Sequence, residues 1–265
     1  MTPLNLIFFF ILGLIIGSFI NVVVLRYNTG FSFMKGRSKC FSCGKILSSL
    51  ELIPVFSYLF IKGRCTSCKS KISIQYPLVE LITGLIFLIT FWKIGLTLFL
   101  PLYLIIFSVL ISISLYDFKH KIIPDGMMVV FNILTLFAWF LTHSFQGQFL
   151  IPSLLDLFSG FILFSFFAFL WLVSGGKWMG FGDAKISLGV GWLLGLSGGI
   201  FAIMLAFWIG AIWGIFIILL KKLNIFRSSI TMKSEIPFAP FIILGLFIQF
   251  FLEWNLASLM KILAQ

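Results

Sequence analysis

The stretch Met1-Thr-Pro-Leu-Asn-Leu-Ile-Phe-Phe-Phe-Ile-Leu-Gly-Leu-Ile-Ile-Gly-Ser-Phe-Ile-Asn-Val-Val-Val-Leu25 holds no charged side chain, and Arg26 follows it directly. About 20 apolar residues in a helix cross the roughly 30 Å hydrocarbon core of a bilayer, so this stretch is long enough to span. It lacks the basic start and the A-x-A-like cleavage site of a secretory signal peptide, which predicts a retained first span. The rest of the chain reads the same way. Of 265 residues, 61% are hydrophobic and 10% are charged, with a mean hydropathy of +1.17. Soluble domains carry about 25% charged residues, so a soluble globular enzyme is excluded. A disordered chain is excluded too, because that needs low hydrophobicity and high charge.

Apolar stretches fall at about 4–25, 77–96, 98–116, 125–142, 152–174, 184–196, 198–220 and 236–256. The expected fold is an all-α polytopic membrane protein with about eight transmembrane helices. The sixth stretch is short and reads as a short span, a re-entrant segment or a piece of the seventh. Charge placement gives the orientation. Residues 26–76 hold nine bases against one acid, Glu51, and 17 of the 19 Lys and Arg residues lie in or beside loops that eight spans place inside. The loop 143–151 has none, as an outside loop should. The net charge of +11 is therefore a topology signal with the lipid bilayer as partner, and no nucleic-acid partner is expected. The 35 Phe residues are expected to face lipid or pack between helices.

All four cysteines lie in the first inside loop, as Cys40-Phe-Ser-Cys43 and Cys65-Thr-Ser-Cys68. Two C-x2-C pairs at this spacing match a tetrathiolate site for structural Zn2+, each short turn offering two sulfurs to one metal. Disulfides and a redox C-x-x-C compete, but a cytoplasmic loop is reducing, and a redox motif does not explain two pairs.

Charge is scarce, so each acid near the bilayer needs a reason. Glu51, Asp125, Asp156, Glu235 and Glu253 read as interfacial or loop residues, Asp156 being the least settled. Asp117 ends the third span in Tyr116-Asp117-Phe-Lys119, and Asp183 opens the sixth in Gly180-Phe-Gly182-Asp183-Ala-Lys185. Both are expected at the cytoplasmic edge. Gly180 and Gly182 permit close approach and a positive φ. Two neighbouring carboxylates can share one proton, the ionised one activating water while the other polarises a carbonyl. The competing reading is that each acid pairs with a nearby Lys119 or Lys185.

Gly180-x-Gly182-Asp183-x-Lys185, with Asp117-x-Lys119 and Ile123-Pro124-Asp125, resembles the type IV prepilin peptidase family of membrane aspartic proteases. Gly17-Ser18-Phe19-Ile20-Asn21, the paired cysteine loop and Tyr76-Pro77-Leu78-Val79-Glu80 extend the resemblance over about residues 13–190. It implies a bacterial inner-membrane enzyme that cuts short basic leaders from prepilins or pseudopilins, substrates with an apolar N-terminal helix. Asp117 and Asp183 would be the catalytic pair, with Gly180, Gly182, Lys185, Lys119, Pro124 and Asp125 in support. Many such enzymes also methylate the new N-terminal amine with S-adenosylmethionine, for which the loop and Glu80 are candidates. Pairing of Glu80 with a loop base is the alternative. The expected organisation is a first helix at 1–25, a four-cysteine zinc loop at 26–76 and a transmembrane peptidase domain at 77–265. A peptidase with a merely structural loop is a second reading. A transporter is a third, disfavoured because transport sites lie near the midplane.

Overall fold

The computed structural model of the chain describes residues 2–145, 151–222 and 237–253. They form the helices α1 (Pro3–Arg26), α2 (Phe56–Phe60), α3 (Gln75–Ile94), α4 (Leu100–His120), α5 (Asp125–Phe145), α6 (Ile151–Ser174), α7 (Phe181–Lys222) and α8 (Ala239–Leu252). There is no strand among the described residues, only isolated antiparallel bridges at Lys39–Ile46 and Arg64–Lys71. The ends follow local chemistry. Pro3 opens α1, where a missing N–H costs nothing. Gly95, at φ 72°, closes α3 by donating to the Phe91 carbonyl. Gly175 and Gly176, both at positive φ, close α6, the Gly176 amide reaching back to Trp171.

Six helices, α1 and α3 to α7, are long and apolar enough to cross a membrane, and α8 is a shorter apolar helix. The 42 residues of α7 are not one straight rod, because Gly195 takes φ 69° and ψ −179°. A Cβ at Gly199 would lie 3.6 Å from the Cα of Gly191, eight residues back. A continuous helix holds such residues about 12 Å apart. The chain therefore folds back at Gly195, giving arms 181–194 and 196–222. The expected sixth and seventh segments are these two arms, and the apolar helical segments number eight among the described residues. The basic loop 223–235, with Arg227, Lys233 and Glu235, lies outside those residues, as do the tail beyond Glu253 with Lys261 and the loop residues 146–150. Of Lys221 and Lys222, only the helical backbone is described.

The chain divides into two compact units, residues 1–112 and 113–265, the boundary falling within α4. In the first, α1 packs on α3. In the second, α7 packs on α5, α6 and α8. Lipid gives apolar helices no hydrophobic reason to associate, so close backbone contact through small residues must hold them. A Cβ at Gly13 would sit 2.7 Å from the Gly84 Cα, and one at Gly17 would sit 2.7 Å from the Glu80 Cα. Gly191 meets Gly160 at 2.5 Å by the same measure, and Gly245 meets the Ala202 carbonyl at 2.2 Å. Phe9, Phe87, Phe91, Leu100 and Leu104 fill the core of the first unit. Phenylalanine takes both expected roles: Phe91, Phe107, Phe131 and Phe167 are fully buried, while Phe158 and Phe169 remain exposed on α6. Asp156 faces His143 of α5, Oδ2 to Nε2 3.7 Å, and lies beside Gly195 at the turn of α7.

These contacts predict that Gly191→Val and Gly245→Val each overpack the second unit, at about 1–3 kcal/mol. Thermal unfolding in detergent should show a lowered midpoint for both. Gly214 has nothing within 4 Å of its Cβ position, so Gly214→Ala should leave the midpoint unchanged or raise it.

Candidate functional site

Asp117 and Asp183 are each 4% exposed, and their carboxylates are close enough for the charge of one to act on the other. Asp183 is the third residue of α7. Its carboxylate lies against the Gly180 amide, while its own N–H donates to the Gly180 carbonyl. This is the reciprocal start of a helix, in which an acid three residues in satisfies an amide that the helix cannot. Neither Gly180 nor Gly182 uses a positive φ. Gly182 is required for a different reason: Ile123 occupies the place where its Cβ would be, 2.7 Å away.

Asp117 does not end its helix as the sequence suggests. Lys119 and His120 complete the last turn of α4, where basic side chains favour the negative end of the helix dipole, so Asp117 lies one turn inside. The backbone amide of Ala239, the first residue of α8, lies against its carboxylate. The sequence reading missed this partner. Its signal was Pro240, because proline in the first turn marks a helix start whose amides need acceptors.

The competing ion-pair reading fails for both acids. Lys185 Nζ pairs with Asp125 Oδ1 at 2.5 Å and lies 5.5 Å from the Phe181 ring. Lys119 is exposed, and no cation among the described residues pairs with Asp117 or Asp183. Pro124 is buried, so Ile123-Pro124-Asp125 ties the start of α5 to the start of α7 through Gly182 and Lys185. The arrangement leaves two uncompensated carboxyls together in dry surroundings, which suits acid–base chemistry on a water and a carbonyl.

In the first unit, the four sulfurs all lie within 4.8 Å of one another, and Cys40 and Cys68 are 3.8 Å apart. All four cysteines are free. The two halves of the cluster share one construction. Cys40 donates to the Lys45 carbonyl and accepts from Gly44; Cys65 donates to the Ser70 carbonyl and accepts from Lys69. Gly44 and Lys69 occupy the same left-handed position, φ 72° and 58°. Tetrahedral thiolates about 2.3 Å from a zinc ion stand about 3.8 Å apart, so this donor set fits one. Amides of Cys43 and Ser42 and the Ser70 hydroxyl lower the Cys40 thiol to about 6. At Cys43 the Lys45 amide pulls downward, but lost hydration and the other three thiols push it up to about 11. Four cysteine sulfurs gathered this closely could hold a metal ion.

Glu51 holds the halves together. It accepts from Lys45 Nζ at 2.8 Å and the Ser48 amide at 2.8 Å, and from the Thr66 hydroxyl of the second half. Lys45, then Ser48 and Thr66, lower its carboxyl to about 2. The tie is thus complete above the ordinary value of 4.5 and is lost only as pH falls towards 2. Glu80 has no basic partner among the described residues. It accepts from the Val55 amide at 2.7 Å, with the Ser18 side chain beside it. Asn21 donates to the carbonyls of Gly17 and Tyr76, and its buried Oδ1 has no hydrogen-bond partner.

Two family models match the chain: the bacterial peptidase A24 N-terminal domain over residues 11–94, and the type IV leader peptidase family over residues 104–215. Similar curated proteins bear the name prepilin leader peptidase/N-methyltransferase, among them three from different bacteria. The one from Bacillus subtilis is 32% identical over 236 residues, 89% of this chain and 90% of that protein. That from Pseudomonas aeruginosa is 30% identical over 260 residues, covering 88% and 85%. That from Myxococcus xanthus is 42% identical over 127 residues, 48% of this chain and 38% of the relative. No solved structure matches the chain significantly. With two family models meeting the chain on either side of α4's start, and relatives aligned over most of its length, the chain belongs to the type IV leader peptidase family.

Proposed function

We propose that this protein is a bacterial inner-membrane enzyme that removes the leader from prepilins or pseudopilins and methylates the new N-terminus. The juxtaposition of Asp117 and Asp183 without a cation carries the peptidase reading. One carboxyl of the pair is ionised and takes a proton from water as the water attacks the scissile carbonyl. The other is protonated and donates to the carbonyl oxygen, and collapse of the tetrahedral intermediate returns a proton to the departing amine. The Gly180 and Ala239 amides hold the two carboxylates in place. Asp125 occupies Lys185, which keeps that charge off the pair. The substrate's apolar helix stays in lipid, with its leader junction at the cytoplasmic face.

For methylation, S-adenosylmethionine supplies the methyl group when bound. Glu80 and the unsatisfied Oδ1 of Asn21 lie in adjoining parts of α1 and α3 and offer acceptors to a cationic amine. Cys40, Cys43, Cys65 and Cys68 hold a structural zinc that fixes the fold of the loop, with Glu51 as its outer clamp. A transporter is not favoured, since transport sites lie near the bilayer midplane and Asp117 and Asp183 sit close to the ends of α4 and α7.

Asp117→Asn and Asp183→Asn should each lower cleavage of a prepilin-like substrate by roughly 10²–10⁴-fold or more, with the melting midpoint kept. Cleavage at the native rate by either variant would refute the pair. With labelled S-adenosylmethionine, the mature product should carry label, and Glu80→Gln should lose label while cleavage persists; an unlabelled product from the native enzyme would remove the transferase. Purified protein should contain stoichiometric zinc. Glu51→Gln should weaken retention against a chelator by about 10–100-fold, and equal retention would deny its clamping role.

A further inference from the structure

The loop between α1 and α3 contains an apolar face that its own fold does not cover. On α2, Phe56, Leu59 and Phe60 fall at i, i+3 and i+4, one side of the helix, and are 55%, 65% and 83% exposed. The other side is in use, because Tyr58 packs onto Gly63, where a Cβ would lie 2.8 Å from its ring. Lys62 and Arg64 follow immediately and are exposed. The one acid between Arg26 and Glu80 is Glu51, which is already bonded to Lys45.

The depth of this face is fixed by the backbone. Val55, which precedes α2, donates its N–H to Glu80 Oε2 at 2.7 Å. Glu80 lies five residues into the membrane-capable helix α3, about 7.5 Å from its start at 1.5 Å per residue. Gly17 of α1 packs at the same level, and Arg26 stands nine residues further on, about 13 Å along that helix. The chain therefore descends beside the spans before α2 begins. It does so through a tight turn. Val55 takes φ 62° and ψ −53°, and Phe56 donates to the Pro54 carbonyl at 2.6 Å. A β-branched residue rarely adopts this conformation, and surrounding contacts must hold it there. The buried carboxylate of Glu80 supplies that hold.

We infer that α2 is a membrane anchor, with Phe56, Leu59 and Phe60 seated in the boundary between lipid headgroups and acyl chains and Lys62 and Arg64 on the phosphates. Interfacial helices lie about 5–10 Å into that boundary, apolar face inward and basic residues outward. Measured from the start of α3, the level of Val55 and Glu80, about 7.5 Å in, falls in this range. Anionic lipid complements the bases, and nothing acidic on this face opposes it. The loop is thus pinned to the bilayer at a third place between its two spans, which limits how far the cysteine cluster can move from the membrane surface.

The test places p-benzoylphenylalanine at position 60 of the full-length protein, reconstituted in phosphatidylethanolamine–phosphatidylglycerol vesicles and irradiated. A reference probe goes at Leu85, exposed on α3. A lipid adduct on the loop peptide, comparable in yield to that at Leu85 and higher with phosphatidylglycerol than without it, is the expected result. Absence of lipid adduct at position 60 while Leu85 is labelled would overturn the anchor. So would cross-linking to a second copy or to an added prepilin peptide in place of lipid. A second probe at Leu59 must give the same outcome, which guards against misfolding of the first. None of these readouts uses peptidase or methyltransferase activity.

Discussion

A carboxylate removed from water needs donors, and this protein supplies them from its main chain. Among the described residues three acids are buried, Asp117, Asp183 and Glu80. Each has a backbone amide from the beginning of a helix against its carboxylate: Ala239 for α8, Gly180 for α7 and Val55 for α2. Those amides have no partner within their own helices, and helix starts carry a partial positive charge. One contact thus answers two demands, an acid without water and an amide without an acceptor. It also leaves each acid without a cationic side-chain partner among the described residues.

Much of the second unit follows from meeting that condition for Asp117 and Asp183. Bringing Gly180 to Asp183 sets the start of α7, and bringing Ala239 to Asp117 sets the start of α8. Ile123 fills the hollow at Gly182, and Asp125 draws Lys185 aside. Behind this junction, Gly160, Gly191 and Gly245 let backbones approach within distances that a side chain would forbid. Lipid cannot drive that approach by hydrophobicity, so shape carries it. The first unit uses the same two devices, glycine contact between α1 and α3 and a backbone amide on Glu80.

Several features were legible in one dimension. The charge-free run before Arg26, the paired cysteines, Gly182-Asp183 and Pro124-Asp125 all announce themselves locally, because each depends on neighbours within a few residues. The cysteine cluster was readable since each C-x2-C folds its own turn. Other features were not. The sequence could not show that Lys185 serves Asp125, 60 residues away, and not the Asp183 beside it. On the opening turn of a helix, residues two apart point in different directions. Glu51 looked like an ordinary loop acid, and its three donors come from both cysteine turns.

What the sequence alone determined is therefore which segments are apolar enough to enter lipid, where the charges lie and which cysteines could share a metal. Transfer into a bilayer is a property of each segment's own composition, read out along a single axis. Which helices touch, where α7 doubles back and which amide reaches which acid were decided by tertiary structure. Those choices depend on lateral fit, where the packing of α5 to α8 sets neighbours far apart in the chain, and a hydropathy pattern contains no coordinate for it.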